Sequence, residues 1–160
     1  MPRQPELFPK TVYCIDTSSL INLKPYRRDV FPTIWNKLEN MIKNGELLSH
    51  LEVYKEIEAV KDVIHNWCKN NKKMFRDVDE CQIQKLQDVK RQYDSNYWEN
   101  EINKTSPWAD PWLIALSICE KAIIVADEKN APNRIPVISA VFGVKCLELL
   151  DFFKEIGIKY

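Results

Sequence analysis

A short apolar run that breaks at a carboxylate constrains the fold of this chain more than any other feature. The run extends from Val12 to Ile15 and is followed at once by Asp16, Thr17 and Ser18. An apolar segment of this length, bounded by turn-forming residues, is typical of a buried strand in a parallel sheet. Ligands bind at the carboxyl ends of such strands, because helices cover both faces of the sheet. We therefore expect Asp16 to lie at the ligand-binding edge of an α/β domain.

The rest of the chain alternates predicted strands with predicted helices. Short apolar runs predict further strands at 47–49, 122–126 and 144–147. This alternation predicts an α/β sandwich with a mostly parallel central sheet, formed by a single domain over residues 1–160. The polar segment from about 66 to 104 carries an interrupted apolar stripe, which predicts a helical insertion over one edge of the domain. Apolar residues at helical spacing predict helices over 17–24, 32–43, 51–67, 112–121 and 149–156.

The amino-acid composition limits the partners, the cellular location and the kind of metal site that we expect for this chain. The 23 basic and 23 acidic residues cancel, so a polyanionic partner must be met by a local patch or by bound metal. No apolar run reaches membrane-spanning length, so we expect no membrane partner. The cysteines are scattered, odd in number and without a CxxC pair, which predicts reduced thiols in a cytoplasmic protein and argues against a zinc site. They are Cys14, Cys68, Cys81, Cys119 and Cys146.

Acidic residues stand where predicted elements meet. Asp127 and Glu128 follow the third predicted strand, so they reach the same edge of the sheet as Asp16. Glu56 borders the buried stripe of a helix, and Asp110 stands at the head of an apolar helix. Carboxylates that converge without a cation repel one another, whereas Mg²⁺ or Mn²⁺ readily takes such oxygen ligands. These positions therefore predict a site for a divalent cation.

Each of these residues also has a simpler interpretation. Asp110 is followed by proline and is suited to cap its helix, either instead of binding metal or in addition to it. Glu56 alone is typical of a solvated helix position, and Asp127 with Glu128 is typical of an ordinary turn. Ser18 is suited to cap the first helix, to bond to the neighbouring carboxylate, or to do both.

Two groups of residues between positions 66 and 104 leave two interpretations open. The basic group fits a solvated face or a phosphate-binding patch. The aromatic group fits a buried core or a platform on which bases stack. The basic residues are Lys69, Lys72, Lys73 and Arg76, and the aromatic residues are Trp67, Tyr93, Tyr97 and Trp98.

Four segments in sequence order resemble the PIN domain family of metal-dependent ribonucleases. The segments are VYCIDTSSLINL, SHLEVYKEIEA, ADPWLIALSI and IIVADEKN. More narrowly, FPTIW, ADPWLIAL and DFFKEIG are similar to a PIN-like subfamily encoded in prokaryotes. The resemblance covers nearly the whole chain except the segment from about 66 to 104. It implies a PIN-like three-layer α/β/α sandwich with a helical insertion.

The resemblance also implies an activity and a set of site residues. The activity is metal-dependent endoribonuclease cleavage of single-stranded RNA with Mg²⁺ or Mn²⁺, and Ser18 is expected to orient the first acid. A VapC-type toxin role with an antitoxin partner, and a homodimer, are implied as well. The metal ligands and catalytic acids are expected to be Asp16, Glu56, Asp110 and Glu128, with Asp127 as the alternative fourth acid.

Departures from the family pattern keep another function open. Ala126 stands where the family usually has threonine, and Glu128 stands where it usually has aspartate. These changes fit a non-catalytic PIN-fold binding scaffold. A haloacid dehalogenase type phosphatase is a weaker alternative, because it needs a second aspartate where this chain has Ser18.

Overall fold

The central element of the structure is a parallel sheet. A computed structural model describes residues 10–159. Its strands pair in the order β3-β2-β1-β4-β5, and every pair of neighbours is parallel. The expectation of a mostly parallel sheet is confirmed. The strands are β1 (Tyr13–Ile15), β2 (Leu47–His50), β3 (Phe75–Arg76), β4 (Ile123–Val125) and β5 (Cys146–Leu147).

Helices flank this sheet and complete a three-layer α/β/α sandwich, as the fold-class prediction requires. Among residues 10–159, no helix is both long and apolar enough to cross a membrane. The helices are α1 (Thr17–Ile21), α2 (Pro32–Lys43), α3 (Leu51–Val60), α4 (Val63–Asn70), α5 (Glu80–Lys90), α6 (Ser95–Ile102), α7 (Asp110–Glu120), α8 (Ile135–Val141) and α9 (Leu149–Glu155).

Burial in the sheet and in α7 explains the apolar runs of the sequence. All three residues of β1 are buried, and Cys14 lies between Leu48 of β2 and Ile124 of β4 in the register of the sheet. A strand that is covered on both faces needs apolar residues at consecutive positions, which is the pattern found. Helix α7 is buried on most of its circumference, from Pro111 to Ser117. This central position explains why α7 shows little alternation between apolar and polar faces.

The predicted helix over 51–67 is wrong as a single element. Helix α3 ends at Val60, which is 49% exposed, and Lys61 adopts a left-handed conformation with φ 53°. Asp62 then caps α4 by accepting hydrogen bonds from the backbone N–H groups of Ile64 and His65. Two amphipathic helices with similar stripes follow each other so closely that their combined pattern resembles one helix.

The segment from about 66 to 104 is not purely helical. Residues 72–74 form a 3₁₀ turn, and β3 adds a parallel edge strand beside β2 before α5 and α6 begin. A strand of two residues is too short to produce a recognisable period. The sequence also gave no indication of α8, which has seven residues and carries proline in its first turn.

The expectation that all five cysteines are reduced is also wrong. Cys81 of α5 and Cys119 of α7 form a disulfide with Cα atoms 6.2 Å apart. The two cysteines are 38 residues apart, and only the packing of α5 against α7 brings them together. The cysteine argument for a cytoplasmic location therefore no longer holds. Cys14, Cys68 and Cys146 are free thiols, as predicted.

Candidate metal centre

Three carboxylates meet at the carboxyl edge of the sheet. Asp16 directly follows β1, Glu128 lies shortly after the neighbouring strand β4, and Asp110 is the first residue of α7. One oxygen from each lies within 4.8 Å of the others, and they form the one group of at least three potential metal-ligating side chains found among residues 10–159. Adjacent parallel strands deliver their following residues to the same edge, which is why residues far apart in sequence converge here.

Asp16 is fixed by its neighbours but keeps one oxygen free. It is 2% exposed and serves as the N-cap of α1, a role for which the sequence had suggested Ser18. Its Oδ2 accepts hydrogen bonds from Ser18 Oγ at 2.7 Å and from the Ser18 backbone N–H at 3.2 Å. Its Oδ1 is buried without a hydrogen-bond partner. A buried carboxylate oxygen without a partner is costly, so this atom indicates a position where a cation would be stabilised.

The structure separates the two adjacent acids after β4. Both oxygens of Asp127 are occupied, because Oδ2 accepts from Asn22 Nδ2 and Oδ1 accepts from the Leu149 backbone N–H, each at 2.8 Å. Glu128 joins the acidic group and accepts one hydrogen bond, from the backbone N–H of Ile135, at Oε2. Asp127 therefore stabilises the edge of the sheet through hydrogen bonds, and Glu128 is the acid after β4 that belongs to the acidic group.

This division of roles predicts opposite effects for two conservative substitutions. Asp127→Asn keeps one acceptor oxygen but places an amide donor against the other of the two donors, so we expect a loss of about 1–3 kcal/mol in the free energy of unfolding. The affinity for Mn²⁺ should stay within about threefold, because Asp127 lies outside the acidic group. Glu128→Gln should keep its bond to Ile135 and weaken Mn²⁺ binding by at least about tenfold, because it removes a charged oxygen ligand. Urea unfolding and Mn²⁺ titration measure both quantities, and the reverse pattern would contradict the assignment.

Asp110 does not cap its helix, so the capping interpretation is wrong. It is the first helical residue of α7, the N-cap position belongs to Ala109, and no side-chain hydrogen bond caps the helix. Asp110 is 8% exposed. Its position in the first turn places it near the partial positive charge of the helix N-terminus, which favours an anion there.

Glu56 lies beside the three-residue group. Thr17 Oγ1 donates a hydrogen bond to Glu56 Oε1 at 3.2 Å. Burial and the nearby charge of Asp16 raise the pKa of Glu56 from an ordinary value of 4.5 to about 7, although the bond from Thr17 opposes the shift. Glu56 is therefore not a solvated helix residue, and it stands as a further acid at the edge of the site.

The acids destabilise one another's charged forms. Burial is the largest cause that raises the pKa of Asp16, Asp110 and Glu128, and repulsion from neighbouring carboxylates adds to it. Asp110 is affected most widely, because Asp16, Glu128 and Glu56 all raise its pKa. A divalent cation removes this repulsion, and the all-oxygen donor set is the kind that Mg²⁺ and Mn²⁺ prefer. The residues present therefore fit a hard divalent cation.

Arg134 is a residue of the site that the sequence did not indicate. Burial and the neighbouring acids raise the pKa of Asp110 and of Glu128, and the positive charge of Arg134 opposes this shift. It is the exposed N-cap residue of α8 and takes part in none of the ion pairs formed by residues 10–159. The sequence did not indicate Arg134 because the helix that begins after it, α8, was not predicted.

The structure bears on both open interpretations of the 66–104 segment. Trp67, Tyr93 and Trp98 are buried, and Tyr97 is half-buried, so the core interpretation holds for these aromatic residues. The four basic residues are exposed and do not belong to the acidic group. Lys72 places its ammonium 5.1 Å from the centre of the Tyr54 ring.

Comparison with known proteins identifies the family. No curated protein matches the chain. The crystal structure of PAE2754 from Pyrobaculum aerophilum is similar, with a TM-score of 0.47 and 11% sequence identity over 92% of this chain and 98% of that one. A family model described as "Domain of unknown function (DUF4411)" matches residues 13–160, which include every strand and every acid of the site. The chain belongs to the DUF4411 family.

Proposed function

We propose that this protein is a metal-dependent endoribonuclease that hydrolyses phosphodiester bonds in single-stranded RNA. The observation that carries the proposal is the convergence of Asp16, Asp110 and Glu128, with a buried and unpartnered Asp16 oxygen among them. The choice of RNA as substrate rests on the resemblance of the four motifs to PIN domain ribonucleases. The toxin role, the antitoxin partner and the homodimer implied by that resemblance stay predictions.

The residues of the site would hold the cation and keep their geometry without it. Asp16 and Glu128 each use one oxygen for a hydrogen bond within the protein, and each keeps the other oxygen for the cation. When bound, the cation supplies an activated water and stabilises negative charge on phosphate oxygens. Ser18 prevents the Asp16 carboxylate from rotating, and it also accepts a hydrogen bond from the Asp127 backbone N–H at 3.0 Å. One hydroxyl thus ties the ends of β1 and β4 together.

Arg134 supplies the positive charge that an RNA backbone requires near an acidic site. Guanidinium groups bind phosphate through charge-assisted hydrogen bonds. Because the side chain is exposed and forms no ion pair with residues 10–159, it can bind a phosphate without first breaking an ion pair with these residues.

The position of Glu128 supports an enzyme over the binding scaffold. The longer side chain at this position raised the scaffold as an alternative, because the family usually has aspartate there. In this chain the carboxylate nevertheless reaches Asp16 and Asp110. A scaffold that had lost its metal site would have no need to bury several mutually repelling acids.

Cleavage of a circular single-stranded oligoribonucleotide tests the proposal directly, because an exonuclease cannot cut a circle. We expect linear product with Mn²⁺ or Mg²⁺, none with EDTA, and much less product from a DNA circle of the same sequence. An intact RNA circle, together with an unfolding temperature that Mn²⁺ does not change, would contradict the proposal and favour the scaffold.

A further inference from the structure

Asp110 differs from the other acids of the site in its hydrogen bonding. Asp16, Glu56 and Glu128 each accept a hydrogen bond from the protein, as described above. The Asp110 carboxylate accepts none from any residue between 10 and 159. Carboxylates that bind metals are generally held by hydrogen bonds from a second layer of residues, which fix their orientation. The site as proposed therefore lacks one donor.

Tyr93 carries a hydrogen-bond donor that has no acceptor. The residue lies between α5 and α6 and is 6% exposed. Its hydroxyl is buried and has no hydrogen-bond partner, which is unusual because buried tyrosine hydroxyls nearly always find one. Burial raises the pKa of this hydroxyl, and the negative charges of Asp110, Glu128 and Asp16 add to the shift. The hydroxyl therefore lies within the electrostatic range of the acidic group.

The surrounding structure holds Tyr93 beside the segment that carries Asp110. Its ring packs against Trp108 at 5.3 Å and against Trp98 at 5.4 Å between ring centres. The backbone that follows the ring is held as well, because the N–H of Asp94 donates a hydrogen bond to Asn133 Oδ1 at 2.8 Å. The ring is therefore packed against the segment that leads into α7, and the adjoining backbone is bonded to the loop that precedes α8.

We propose that Tyr93 is a positioning residue for Asp110, whose carboxylate accepts a hydrogen bond from the Tyr93 hydroxyl when it binds the cation. The proposal rests on the proposed metal site. A phenol suits this role, since it offers a strong donor without adding a charge that would compete with the cation. The segment between residues 66 and 104 then completes the metal centre as well as extending the sheet.

Metal affinity without RNA tests this role. We expect Tyr93→Phe to bind Mn²⁺ about tenfold more weakly, as measured by the electron paramagnetic resonance signal of free Mn²⁺ in titrations of the metal-free protein. The unfolding temperature of metal-free Tyr93→Phe should be unchanged or higher, because the substitution removes a buried group that has no partner. If Tyr93 had only a structural role, its replacement would leave the Mn²⁺ affinity unchanged and lower the unfolding temperature.

Tyr13→Phe is the matched control for the same chemical change. The Tyr13 hydroxyl donates a hydrogen bond to Glu155 at 2.9 Å, so its removal should lower the unfolding temperature and leave the Mn²⁺ affinity unchanged. Equal Mn²⁺ affinity for wild type and Tyr93→Phe would overturn the role of Tyr93 and leave the metal site intact. A lower unfolding temperature for metal-free Tyr93→Phe would overturn it too. Absence of Mn²⁺ binding in the wild type would overturn the proposed function together with this inference.

Discussion

Asp16→Asn should abolish metal-dependent RNA cleavage and stabilise the metal-free protein. The substitution removes the charged ligand at the centre of the site, and loss of several kcal/mol of transition-state stabilisation lowers the rate by at least about a thousandfold. Asparagine is a good N-cap residue and can still accept the hydrogen bonds from Ser18. The fold should therefore persist, and its unfolding temperature without metal should rise because a buried negative charge is gone.

Asp151→Asn provides a matched control for this experiment. Asp151 is an exposed residue in the first turn of α9, so its replacement changes the net charge equally and leaves the site untouched. Both variants and the wild type should be purified in parallel and assayed on the same RNA. Cleavage by Asp16→Asn at the wild-type rate would reveal a contaminating nuclease or a wrong site.

The metal-free protein should lose stability as the pH rises from about 5 to about 8, and saturating Mg²⁺ should remove much of that loss. Glu56 shows the sign of the effect. Its pKa in the folded protein is about 7, against an ordinary value of 4.5. Between these values the folded protein holds more protons than the unfolded chain, so stability falls with rising pH. The contribution of Glu56 is complete below the lower value and is lost as the pH passes the higher one.

Thermal unfolding at both ends of this pH range, with and without Mg²⁺, measures the effect. At a concentration about one hundred times the dissociation constant, Mg²⁺ should stabilise the folded state by about 2.7 kcal/mol. At a fixed Mg²⁺ concentration the stabilisation should be larger at high pH, because the ligands must be deprotonated and the dissociation constant is therefore lower. Glu56→Gln should flatten the pH dependence, whereas Glu58→Gln on the exposed face of the same helix should not. A metal-free protein that becomes more stable as the pH rises would refute the electrostatic account of the site.

The sequence identified the acids that adjoin a clearly predicted strand or helix. Asp16 follows a buried strand and was predicted at the carboxyl edge of the sheet, and Asp110 was predicted at the head of an apolar helix; the structure has both at these positions. The choice between Asp127 and Glu128 could not be made from the sequence. It depends on Asn22 and on the backbone of Leu149, which reach Asp127 only in the folded protein.

Tertiary packing also explains what the sequence did not indicate about the fold. The period of apolar residues indicates elements of several turns, but β3 has two residues and α8 has seven, which is too few for a clear pattern. The helical spacing left Tyr93 either in the core or on a platform for stacking bases, and it did not show that the hydroxyl is buried without a partner. The pairing of Cys81 with Cys119 depends on the contact between α5 and α7.

That disulfide closes a covalent ring that contains both Tyr93 and Asp110. Every residue inside the ring is connected to every other by two paths, one along the backbone and one through the sulfur atoms. The exposed residues 103–106 lie within it, between α6 and α7. If a protease cuts the chain there, the two fragments remain joined through Cys81 and Cys119, and they separate only after reduction. A single cut in this connection therefore leaves both parts of the acidic site in one covalent molecule.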